Sequence, residues 1–114
     1  MKASTQNAEH YAWGNACDGW HLVKTDSLSV IQERMPPGTT EQWHYHERAQ
    51  QVFFILAGEA VFEVGEEVVW VAAQESLHIL PGTLHRITNQ AATDLCFLVI
   101  SEPKSHGDRV NIDR

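Results

Sequence analysis

Residues 38–58 read GTTEQWHYHERAQQVFFILAG, and within them two histidines stand one residue apart, ahead of an apolar run. Successive side chains of a β-strand point to opposite faces, so His44 and His46 on a strand would point the same way and could chelate one ion. On a helix the same spacing would splay the two rings apart. The segment therefore predicts a strand that carries a candidate metal site, with Gln51 at the start of the next strand.

The rest of the chain repeats one pattern of short apolar runs separated by glycine, proline and asparagine. Runs such as LSVIQERM, AVFEV, EVVWVA and DLCFLVI are only a few residues long, and this spacing is typical of an all-β sandwich or barrel. No window sustains a helical apolar periodicity. With 114 residues the chain can bury one core. We therefore expect a single domain with an N-terminal arm (1–19), a β-barrel (20–102) and a C-terminal tail (103–114).

Composition and charge exclude several classes of partner. The net charge is −7 and the isoelectric point is about 5.4, which disfavours nucleic acid and anionic membranes because both require a basic patch. The first residues lack the apolar core of a signal peptide, and no segment approaches the roughly 20 apolar residues of a membrane span. We expect a cytoplasmic protein whose partner is a small molecule.

Two runs are apolar on both strand faces. A strand with one solvent-exposed face alternates apolar and polar residues. The segments 52–56 (VFFIL) and 95–100 (LCFLVI) show no such alternation. Either the N-terminal arm or a second subunit is expected to cover the outer face, and the pattern favours a homodimer. The alternative is that the outward side chains are isolated exposed apolar residues, which are common.

Glycines around the histidines extend the pattern into a recognisable motif. The chain reads Gly38-x5-His44-x-His46-x4-Gln51-x6-Gly58. This closely resembles the first motif of the cupin family, G-x5-HxH-x3,4-E-x6-G. Every position fits except Gln51.

A second cupin motif, G-x5-P-x-G-x2-H-x3-N, resembles a later segment of the chain. That segment reads Gln74-x5-Leu80-x-Gly82-x2-His85-x3-Asn89. Gly82, His85 and Asn89 match, whereas Gln74 and Leu80 depart from the motif. Two motifs in the right order and at the right separation identify the chain as similar to small cupins.

The resemblance implies a double-stranded β-helix, or jelly-roll barrel, with one divalent transition metal inside its mouth. The implied ligands are His44, His46, Gln51 and His85. Imidazole suits many transition metals, so Ni, Zn, Mn, Fe, Co and Cu are not distinguished. The family usually has glutamate at the position of Gln51, and an amide leaves the full +2 charge uncompensated. We expect weaker metal binding, a stronger Lewis acid and resistance to oxidation, which favours Lewis-acid chemistry over a redox oxygenase.

A side chain of the segment SLSVIQERM could compensate the charge of the metal. Apolar residues occupy both odd and even positions of this segment, so the sequence does not show which set faces inward. If its odd-numbered residues face inward, Glu33 enters the barrel beside Met35 and can compensate the metal charge or act as a general acid or base. If the even-numbered residues face inward, Gln32 and Arg34 enter instead and form an anion clamp. A third alternative places the polar stretch on the outer face. Glu33 is the candidate catalytic residue.

The expected substrate pocket is lined by side chains that share an inward face. Phe53 and Ile55 share the strand face of Gln51, and Met35 and His78 complete the predicted lining. The alternative for His78 is that it faces outward. The resemblance implies an isomerase or lyase acting on a small anionic or polyhydroxylated metabolite. The alternatives are a metal-dependent dioxygenase, a non-enzymatic binding or sensing protein, and a barrel that has lost its metal.

Overall fold

The computed structural model describes residues 1–114 and contains eleven strands and no helix. The strands are β1 (Glu9–Trp13), β2 (Cys17–Lys24), β3 (Ser29–Met35), β4 (His44–His46), β5 (Gln50–Ala57), β6 (Glu59–Val64), β7 (Glu67–Ala72), β8 (Ser76–Ile79), β9 (His85–Thr88), β10 (Leu95–Glu102) and β11 (Arg109–Asn111). One sheet has six strands in the order β1-β2-β3-β10-β5-β8, and the other has five in the order β11-β4-β9-β6-β7. The predicted all-β jelly-roll barrel is confirmed. With no helix present, none can cross a membrane.

The core lies between the two sheets and follows the alternation of the strands. On β5, Phe53 and Ile55 are 3% and 0% exposed, whereas Val52 and Phe54 on the other face remain partly exposed. Phe62 of β6 packs against Phe53 with ring centroids 5.0 Å apart. Each fully buried side chain of this size contributes roughly 1.5–3 kcal/mol.

The structure explains why glycine stands at position 58 and asparagine at position 89, two residues that match the cupin motifs. Gly58 joins β5 to β6 with φ +85°, and a Cβ there would lie 2.7 Å from the carbonyl oxygen of Asp94, so only glycine fits. Asn89 is fully buried, and its side chain forms hydrogen bonds with backbone groups around its turn. Its amide nitrogen donates to the carbonyls of Met35 and Thr93, each at 2.9 Å.

The chain ends differ from the expected arm and tail. Strand β1 pairs with β2 at one edge of the six-stranded sheet, and β11 pairs with β4 in the other sheet. Strand β1 has five residues and β11 three, too few for alternation to predict either strand from the sequence. Because β1 lies beside β2, it does not cover the outer face of β5 and β10.

Candidate metal centre

Three of the four predicted ligands, His44, His46 and Gln51, line a cavity of about 470 Å³ between the sheets, whereas His85 does not line it. Side chains from both sheets and both chain ends line it, including Tyr11, Glu33, Glu41, His44, Gln51 and Arg109. Only five of the 18 lining residues are hydrophobic. The cavity has the size of a small-molecule site, and its walls favour a polar ligand.

Strand pairing brings the three predicted histidines together. His44 of β4 lies directly opposite His85 of β9, and their ring centroids are 4.4 Å apart. The ring of His46 lies 5.1 Å from that of His44 and 6.3 Å from that of His85. All three are at most 5% exposed. The structure therefore brings together residues separated by about forty positions in the chain.

The hydrogen bonds of the rings leave nitrogen lone pairs free. Burial lowers the pKa of His44 and of His46 to about 4 and also lowers the pKa of His85, so all three are neutral at pH 7. Nδ1 of His44 bonds the carbonyl of Gln42 at 2.9 Å, and Nδ1 of His85 bonds the carbonyl of Thr83 at 2.8 Å. A neutral ring that donates through Nδ1 carries its lone pair on Nε2.

Gln51 presents a further acceptor. Its side chain is 4% exposed, and its amide nitrogen donates to Oγ of Ser101 at 3.0 Å. The amide oxygen of Gln51, Nδ1 of His46 and Nε2 of His85 are all buried without a hydrogen-bond partner. Buried polar atoms are rarely left unpaired, so these three atoms are candidates for contact with a bound ligand or ion. No three His, Cys, Asp or Glu side chains in the structure form a group that could hold a metal ion, so metal binding by these residues stays a prediction.

The odd-numbered residues of β3 face inward, which places Glu33 in the cavity wall. The hydroxyl of Tyr11 donates to Oε2 of Glu33 at 2.8 Å. Burial and the nearby carboxyl of Glu41 raise the pKa of Glu33 to about 8, while the Tyr11 hydrogen bond and Arg109 oppose the rise. Glu33 is therefore mostly protonated at neutral pH.

Three cavity residues were missed by the sequence reasoning. Glu41 is 11% exposed, with one carboxyl oxygen 3.7 Å from Nδ1 of His44 and the other 3.4 Å from the guanidinium of Arg109. Tyr11 and Arg109 belong to the edge strands at the chain ends. Glu41 lies three residues before His44, and this was the only signal in the sequence. Nothing in the sequence indicated the pairing of β1 or β11.

The predicted pocket residues separate into three groups. Phe53 lines the cavity. Met35 and Ile55 are fully buried in the core and do not line it. The placement of His78 in the pocket is wrong, because β8 pairs His78 with the outward residue Val52, and the exposed ring bonds the side chain of Gln50 at 2.9 Å.

Comparison with known proteins gives a consistent result. The family model described as "Cupin domain" matches residues 31–101. An oxalate-binding protein of Thermotoga maritima is 34% identical over 85 residues, which are 70% of each chain. The crystal structure of a predicted oxalate decarboxylase of Thermotoga maritima superposes with a TM-score of 0.83 at 23% identity, over 91% of this chain and all of that one. A sugar phosphate isomerase from Silicibacter pomeroyi superposes with a TM-score of 0.80 at 16% identity, over 91% and 76% of the chains.

Proposed function

This chain belongs to the cupin family, and from that premise we propose that it is an enzyme dependent on one divalent transition metal. The proposed reaction is of the isomerase or lyase type, on a small metabolite that bears a carboxylate or several hydroxyls. The observation that carries this proposal is the set of buried, unpartnered polar atoms of Gln51, His46 and His85, of which the first two residues line a polar cavity.

The proposed ligands are His44, His46, Gln51 and His85, which bring no negative charge to the ion. A bound ion would act as a Lewis acid on a substrate oxygen, and would do so strongly because no ligand carboxylate offsets its charge. These donor types accept Ni, Zn, Mn, Fe, Co or Cu. The Nδ1 hydrogen bonds of His44 and His85 hold their rings in the orientation that keeps Nε2 available.

Glu33 supplies the proton chemistry. With its pKa raised to about 8, the side chain holds a proton at neutral pH and can give it to a substrate atom or take one back. A general acid or base works best when its pKa lies near the working pH. The cavity position of Glu33 gives a bound molecule access to this proton.

Arg109 favours a substrate with an anionic group. It is the only arginine or lysine among the residues that line the cavity, and guanidinium binds carboxylates with paired hydrogen bonds. The relative that binds oxalate supports a small carboxylate. The two structural neighbours, at 23% and 16% identity, support the fold alone.

Metal binding is the first test, on protein purified without a histidine tag. We expect one site per chain for Ni²⁺, Zn²⁺ or Mn²⁺ by calorimetry, and at least about 100-fold weaker binding in His85→Ala. His78→Ala is the matched control, because it removes an exposed histidine from the outer face. A stoichiometry near zero, or equal losses in both variants, would contradict the proposal.

Turnover is the second test, and it separates the alternatives. The loaded protein would be assayed with oxalate and with small hydroxy, keto and sugar acids for isomerisation, carbon dioxide release and oxygen uptake. Isomerisation or decarboxylation that is lost in Glu33→Gln supports the proposal. Oxygen uptake that accompanies turnover would instead indicate a dioxygenase.

A non-enzymatic binding protein is the second candidate, because the relative at 34% identity is described as oxalate-binding. In that case the loaded protein binds oxalate or a similar anion tightly without converting it. Saturable binding that Arg109→Gln weakens, with no product from any substrate of the panel, would favour this candidate.

We also propose a homodimer through the outer face of the six-stranded sheet. Val30, Val52, Phe54, Leu98 and Ile100 form a partly exposed apolar patch there, and β1 lies too far to the side to cover it. Light scattering should give twice the chain mass, and Phe54→Glu should give a monomer. The matched control Val68→Glu changes an exposed valine of the other sheet and should leave the dimer intact. A monomeric parent protein would refute the dimer.

A further inference from the structure

Tyr11, Gly19 and Glu33 form one row across three neighbouring strands. Tyr11 of β1 lies opposite Gly19 of β2, and Gly19 lies opposite Glu33 of β3. Neighbouring strands are about 4.8 Å apart, so Tyr11 and Glu33 are separated by roughly twice that distance at the backbone. A phenol can span this gap only by lying over the middle strand.

Gly19 provides the space for that crossing. A Cβ at this position would lie 2.5 Å from the hydroxyl of Tyr11 and 2.6 Å from Cε1 of its ring. Gly19 has an ordinary backbone conformation, because its φ does not lie in the left-handed region. The glycine is therefore explained by the aromatic ring above it and not by a turn.

The crossing ends in one hydrogen bond. The hydroxyl of Tyr11 donates to Oε2 of Glu33 at 2.8 Å, and Oε1 of Glu33 makes no hydrogen bond within the protein. The bond thus fixes one carboxyl oxygen and leaves the other for the cavity. Tyr11 itself cannot act as a base, because burial and the neighbouring Glu33 raise the pKa of its phenol further above neutrality.

Two other charged side chains act on Glu33. The carboxyl of Glu41 raises its pKa, and the guanidinium of Arg109 lowers it. Neither forms a hydrogen bond with Glu33. Tyr11 is the only side chain that holds the carboxyl directly.

We propose that Tyr11 is a positioning residue, which fixes the orientation and the proton affinity of Glu33, and that Gly19 is the residue that admits it. The catalytic meaning of this arrangement rests on the proposed function, but the arrangement itself can be tested without a metal or a substrate. The N-terminal strand thereby becomes part of the site.

The test is the titration of Glu33 in metal-free protein, followed by carbon-13 NMR of the glutamate carboxyl groups. Glu33→Gln identifies the signal. Loss of a hydrogen bond that favours the ionised form should raise the titration midpoint by about one pH unit in Tyr11→Phe. Tyr45→Phe is the matched control, because its hydroxyl makes no hydrogen bond, and it should leave the midpoint unchanged.

Gly19→Ala is an independent test of the effect of Tyr11 on the titration midpoint of Glu33. The added methyl displaces the ring of Tyr11, so the midpoint should rise as it does in Tyr11→Phe. The double variant should show no larger shift, because both changes remove the same hydrogen bond. An unchanged midpoint in Tyr11→Phe, or additive shifts in the double variant, would overturn the proposal.

Kinetics separate this proposal from the proposed function. Where turnover is found, Tyr11→Phe should lower kcat about tenfold, shift the pH profile with the Glu33 midpoint and change KM little. A lower kcat with an unshifted pH profile would indicate only a structural role and would overturn the proposal. A Tyr11-dependent midpoint without any turnover supports the positioning role and counts against the enzyme.

Discussion

Replacing Glu33 with glutamine should change how stability depends on pH. Folding raises the pKa of Glu33 from 4.5 to about 8, so between these values the folded chain binds a proton more tightly than the unfolded chain. The stabilisation from this proton is complete below pH 4.5 and is lost as the pH rises through about 8. Glutamine is neutral throughout and still accepts the hydrogen bond of Tyr11, so it avoids this loss.

The magnitude follows from the difference between the two pKa values. About 3.5 pH units at about 1.4 kcal/mol per unit give an upper limit of about 5 kcal/mol, a large part of the 5–15 kcal/mol (roughly) that stabilises a typical domain. The free energy of unfolding of Glu33→Gln minus that of the parent should be smallest near pH 4.5. It should grow steadily until about pH 8 and then level off.

Urea unfolding of both proteins between pH 4.5 and 9, with a chelator present, measures this difference. The buried histidines destabilise both proteins equally at low pH, so their contribution cancels. Glu47→Gln, which removes an exposed carboxylate, is the control for the change in net charge. A difference that stays constant within about 0.5 kcal/mol over the whole range would refute a protonated Glu33.

Three further changes test other parts of the structure. Gln51→Glu should bind metal at least about tenfold more tightly and turn over its substrate more slowly. The free energy of unfolding of its metal-free form should fall by about 2 kcal/mol, because a carboxylate is buried. Weaker metal binding in a chelator competition would contradict this prediction. Asp108→Ala should lower the free energy of unfolding in urea by about 2 kcal/mol, because its carboxylate accepts two backbone N–H bonds from the β4–β5 loop. An unchanged urea midpoint would show that these hydrogen bonds do not stabilise the loop. Gly58→Ala should cost more than about 1 kcal/mol, and clearly more than Gly65→Ala, where the added methyl meets no atom; equal costs would show that the close approach to Asp94 is unimportant.

The barrel was predicted correctly from short-range patterns, and the same kind of pattern named the four candidate ligands, which stay a prediction. The alternation around His44 and His46 is local, and the second motif supplied His85 without knowledge of the strand pairing. The direction of Glu33 stayed open because β3 carries apolar residues on both faces. His78 was misplaced because β8 has only four residues, too few for alternation to show which face is buried.

The role of Tyr11 could not be predicted from the sequence, for a different reason. Its contact with Glu33 depends on the register of three strands and on a missing side chain in the middle one. Neither the register nor the reason for Gly19 is visible until the strands are paired. Arg109 likewise enters the cavity only through the pairing of a three-residue strand.

The cavity divides into a floor and a rim with different origins. Central strands carry the histidines and Gln51, whereas β1 and β11, at the two ends of the chain, supply Tyr11 and Arg109 to the rim. Substitutions of Tyr11 or Arg109 should therefore change the rim of the cavity, while the strands that carry His44, His46 and His85 stay as they are.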